Sequence, residues 1–191
     1  MLENALKNCS LKVKITVKGA IGADVMLLAA FLPLALHAAF GAAAGGKWLP
    51  MYLPVLIGGC LLGAAWGAIT GVLSPVASYF ISLALLGQAM PSAGNLPFMI
   101  AELAVFGAVS GAFSRRIGKN PLWAFPAVWT AELAGKASGT ALRIVAAMFG
   151  VQTANAWTVL QTALPGLLLQ AIAVPVIVVL LAKAVCRERN R

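Results

Sequence analysis

Five ionisable side chains stand inside stretches that are otherwise apolar: Asp24, Glu102, Glu132, Lys136 and Arg143. Charges in such a setting are expensive, and they face either one another or a polar cavity. Glu132 and Lys136 are four apart, acid before base, the order that favours an ion pair on one helical face. Arg143 follows Lys136 by about two helical turns. One chemistry open to this set is structural: the charges neutralise one another and fix helix register, with Lys18 in reach of Asp24. The other is a binding site, where Lys136 and Arg143 offer charge-assisted hydrogen bonds to a carboxylate or phosphate. In that case Arg143→Ala weakens binding more than it weakens the fold. Glu132→Ala does the reverse, because it leaves Lys136 unpaired.

Further polar and aromatic residues gather near one set of ends of the apolar runs: His37, Trp48, Asn95, Asn155, Trp157 and Gln161. Tryptophan at such a boundary also anchors a helix at the membrane interface, and that reading stands beside substrate stacking for Trp48 and Trp157. Catalytic patterns are missing. No G-x-S-x-G elbow accompanies His37, and there is no H-E-x-x-H helix and no P-loop. Cys9, Cys60 and Cys186 are too scattered for a zinc site or a disulfide framework. The expectation is a protein that is not an enzyme and uses no metal or cofactor.

The elements that must position these residues are membrane helices. The chain has 191 residues, is 61% hydrophobic and 10% charged, and has a mean hydropathy of +0.94. A soluble domain would carry roughly 25% charged residues. Hydropathy and turn formers predict six spans: about Gly19–Ala44, Met51–Ala65, onward to Leu86, Phe98–Ser114, Leu122–Phe149 and Trp157–Val185. The first apolar run exceeds the roughly 7–15 residues of a signal-peptide core, so it is read as a span. The fold class is all-α: a single six-transmembrane-helix bundle over 19–185, with a basic segment 1–18 and a basic tail 186–191.

Charge sets the orientation. Lys7, Lys12, Lys14, Lys18, Arg115, Arg116, Lys119, Lys183, Arg187, Arg189 and Arg191 all fall on one side of six spans, and Lys47 on the other. Positive residues mark the cytoplasm, so both termini lie inside a cell membrane. That asymmetry accounts for the net charge of +9, and no nucleic-acid partner is expected. The loop "LGQAMPSAGNLP" then lies outside, beside the polar residues, where Met90 and Leu96 could cap a site.

Glycines recur every fourth residue at Gly59, Gly63, Gly67 and Gly71, and again at Gly107–Gly111 and Gly135–Gly139. In lipid this spacing lets helix backbones approach closely. The ladder is interrupted by a turn expected near Ala64–Gly67.

The stretches "WLPMYLPVLIGGCLLGAAWGAITGVLSPVASYF" and "AELAVFGAVSGAFSRR" resemble the substrate-binding S components of energy-coupling factor (ECF) vitamin importers. "GKASG" and "ALPGLLLQ" are similar to short elements of the fifth and sixth helices there, and the likeness runs over about Gly19 to Val185. Tyr52 stands where such relatives often carry histidine, and Lys136 where they often carry arginine. The resemblance implies capture of a vitamin or precursor outside, cobalamin, a cobalamin precursor or pantothenate. It also implies partnership with an ECF transmembrane subunit and two cytoplasmic ATPases. Taken with the polar residues above, the expected substrate-binding set is Trp48, Tyr52, Asn95, Glu102, Lys136, Arg143, Asn155 and Gln161. Partner docking is expected at Gly19 and Ala23, with Ala35, Ala39 and Ala43 as a second match to the small-residue docking motif. A membrane scaffold without a ligand is the alternative function, and an intramembrane enzyme the third.

Overall fold

The computed structural model describes residues 15–40 and 50–188, all helices and connecting turns with no strand among them. Trp48, Lys47, Ala43 and the two terminal segments lie outside the described residues, as do the side chains of Lys18 and His37. In chain order the helices are α1 (Ile15–Phe40), α2 (Tyr52–Leu62), α3 (Ala64–Leu86), α4 (Leu96–Ala112), α5 (Ser114–Lys119), α6 (Ala124–Met148) and α7 (Ala156–Glu188).

Among the described residues three stretches are long and apolar enough to cross a membrane: α3, the α4–α5 stretch to Lys119, and α7 as far as Lys183. α6 has 25 residues, and Glu132, Lys136 and Arg143 lower its hydropathy. α2 has only 11 residues, about 16 Å of helix, against a hydrocarbon core of about 30 Å. It is the central element, with Val55, Leu56 and Cys60 almost fully enclosed.

Local chemistry explains the boundaries. The α2–α3 break falls at Gly63, with φ +99°, slightly ahead of the expected turn. Only glycine adopts that backbone at little cost. Gly87, at φ +69°, ends α3 with its N–H on the Leu83 carbonyl. Asn155 begins α7 by accepting the Trp157 N–H at 2.9 Å. The "RRIGKNP" stretch, expected as an open break, is instead mostly the helix α5. Its Ile117 is buried, and Arg116 lies 5.0 Å from the centre of the Trp123 ring, so the charged side chains cover a helix rather than a loop.

α3 and α4 cross backbone against backbone. A Cβ on Gly67 or on Gly107 would strike the main chain of the other, and one on Gly71 would strike the Leu103 carbonyl. A Cβ on Gly59 would sit 2.7 Å from the Gly107 carbonyl oxygen, so α2 joins the same crossing. The glycine ladder serves close packing, as the four-residue spacing predicts.

Candidate ligand-binding site

A cavity of about 600 Å³ lies at one end of the bundle. It is walled by the start of α2, the 90–95 loop, the first half of α4, the second half of α6 and the start of α7. Arg115, Arg116 and Lys119 follow the opposite end of α4.

Its floor is ionic. Glu102 rises from α4 at 3% exposure, and the Lys136 ammonium of α6 pairs with its Oε1. Two glycines make room for this. A Cβ on Gly139 would come within 2.7 Å of Glu102 Oε2, and one on Gly135 would collide with the Phe106 ring. Lys136 Nζ also lies 4.8 Å from the centre of the Tyr52 ring, close enough for a cation–π contact. Tyr52 is fixed in turn by an edge-on contact with Phe106, centroids 5.0 Å apart.

This pairing corrects an expectation. Lys136 bonds across helices to Glu102 and makes no ion pair with Glu132, although the i, i+4 spacing favours one. Glu132 is buried on α6, and its Oε1 has no hydrogen-bond partner among the described residues. Both acids are buried, so the outcome is set by helix approach: Gly135 and Gly139 let α4 close on α6 and bring Glu102 to the Lys136 ammonium.

The upper wall is built around Arg143, 5% exposed. Its Nη1 donates to Asn95 Oδ1 at 2.9 Å, and its guanidinium carbon lies 4.7 Å from the Phe98 ring centre. Asn95 stands just before α4 and ends the loop from Gly87, so α6 grips that loop. Ser82 grips it as well: its Oγ accepts the Met90 N–H at 2.7 Å. The loop is therefore wall as well as connector. Ser82→Ala should speed amide exchange at residues 88–92 by roughly tenfold, one net hydrogen bond's worth. Unchanged exchange there would show the bond does not hold the loop.

Comparison with known protein families, curated proteins and solved structures finds no match. The site therefore rests on its own geometry. Of the expected binding residues, Tyr52, Asn95, Glu102, Lys136, Arg143 and Asn155 line the cavity together, while Trp48 lies outside the described residues. Gln161 is exposed and does not line it. The physical reason is helical phase. Asn155, Thr158 and Thr162 form the cavity-facing stripe of α7, and Gln161 is turned about 100° from Thr162. Leu96 opens α4 without capping the cavity, whereas Met90 reaches it.

Ser78, Thr158, Thr162, Met51 and Met99 also line the cavity and were not anticipated. The Asn155–Thr158–Thr162 spacing of i, i+3, i+7 was the available signal, a polar stripe at the head of an apolar helix. At the expected docking positions, Ala23 is exposed on α1 and Gly19 lies in the same helix. Gly22 instead turns inward, with the Trp66 side chain 3.5 Å from where its Cβ would be.

Proposed function

We propose that this chain is the substrate-capturing S component of an ECF-type importer. In this reading it is a six-span protein of the cell membrane with both termini inside. It binds a vitamin or vitamin precursor on the outer side and delivers it with an ECF transmembrane subunit and two ATPases. The observation that carries the reading is the cavity. Six residues expected from sequence to bind substrate meet there, at the end of the bundle remote from Arg115, Arg116 and Lys119. A pocket of this size, mostly apolar with a few convergent polar groups, suits one small organic molecule. The motif resemblance supplies the transporter class.

Co-expression with an ECF transmembrane subunit and its ATPases tests the assembly. Recovery of a stoichiometric complex is the expected result, and failure to associate with any such module would remove the reading. The site itself is tested by exchange. Substrate should slow amide exchange at residues 88–96 by about tenfold or more, because the loop forms one wall. Residues 115–121 should change little. Equal change at both ends would contradict an outward-facing site.

A further inference from the structure

We infer that the site takes a small amphipathic molecule with a single negative charge, its acid group held by Arg143. This rests on the capture reading above and narrows its substrate.

The argument is an accounting of charge. The chain has five carboxylate side chains: Glu3, Asp24, Glu102, Glu132 and Glu188. Glu102 is engaged by Lys136. Glu132 lies eleven residues before Arg143 on α6, about 16 Å by helical rise. Asp24 is exposed on α1, Glu188 closes α7 at the end away from Thr158, and Glu3 lies outside the described residues. Among the described residues no carboxylate pairs with Arg143, which is nonetheless 5% exposed. Asn95 offers it one carbonyl dipole, and most of its five N–H donors remain. A buried charge is strongly disfavoured unless paired, and here the described residues supply no counter-ion.

Among the described residues of the cavity wall Lys136 and Glu102 cancel, and Arg143 is the positive charge left to be met. A neutral ligand would leave the guanidinium unpaired, and a dianion would bring a second charge that no described residue of the wall meets. The rest of the wall sets the body of the ligand: Met51, Met90 and Met99 give an adaptable apolar surface. Thr158 and Thr162 add hydroxyls on one side. About 600 Å³ falls within the roughly 300–1,000 Å³ typical of sites for drug-sized molecules, which favours such a ligand over a corrinoid with its nucleotide loop. Pantothenate is a probe of the matching class.

The test uses the full chain purified in detergent. Small molecules that co-purify are released and identified by mass spectrometry. Pantothenate, its neutral alcohol pantothenol, a phosphorylated pantothenate and cobalamin are titrated by calorimetry. The expected co-purified compound has one acidic group and is much smaller than a corrinoid. Arg143→Gln should weaken its binding roughly 10- to 100-fold, the worth of a charge-assisted bond, with the melting temperature close to wild type. Arg143→Lys should recover part of the loss. Tight binding of cobalamin, equal binding of pantothenate and pantothenol, or an unaffected Arg143→Gln would overturn the inference while leaving the capture reading intact. No retained molecule and no binding by any of the four would overturn both.

Discussion

Gly107→Leu should prevent the bundle from assembling. The Gly107 Cα faces the Gly67 backbone, and a side chain there would have to displace main chain rather than the tip of a flexible residue. Overpacking a core costs about 1–3 kcal/mol when neighbours can yield, and a backbone–backbone crossing cannot. The loss should exceed that range and appear as little or no monodisperse protein from detergent. Gly118→Leu is the control, since a Cβ at Gly118 meets nothing within 4 Å. It should change stability by about 0.5 kcal/mol or less. Normal yield and melting for Gly107→Leu would mean that α3 and α4 do not cross at this point.

The second large effect is expected at Glu102. Glu102→Ala removes the partner of a Lys136 ammonium whose side chain is itself only 11% exposed. Breaking one half of a buried ion pair costs about 3–5 kcal/mol, mostly through the charge left behind. The double change Glu102→Ala/Lys136→Met should restore much of that stability, because no uncompensated charge remains. Glu132→Ala should be mild by comparison, the opposite of what its spacing from Lys136 suggests. Thermal melts of the four proteins decide it. A larger loss from Glu132→Ala than from Glu102→Ala would return the ammonium to its own helix.

That reversal marks where sequence reasoning reached its limit. The i, i+4 rule describes what one helix offers, whereas the partner of Lys136 was decided by how α4 and α6 meet. Gly135 and Gly139 set that approach, and their spacing was visible, but what they admit was not. Helix limits were more legible. Gly87, Pro97, Asn120 and Asn155 are local signals, and the ends of α3, α4, α6 and α7 fall within a few residues of expectation. α5 was hidden because its arginines and lysine read as a loop, while a single buried Ile117 anchors it. In the site, charged and amide residues stood out against an apolar background. Thr158 and Thr162 did not, since a threonine in such a helix more often bonds its own backbone. Thr162 does this as well, donating to the Thr158 carbonyl at 2.8 Å.

The shortness of α2 has a mechanical meaning. Helices on the rim of a membrane protein must match the thickness of the surrounding lipid, and they tilt or distort when it changes. α2 is enclosed by α1, α3, α4 and α7, with eight of its 11 residues buried. It has almost no lipid face through which such a mismatch could act. In a bilayer, strain from thicker or thinner surroundings would fall on α3, α4 and α7. Tyr52, and with it the floor of the cavity, is carried by the helix best insulated from the composition of the membrane.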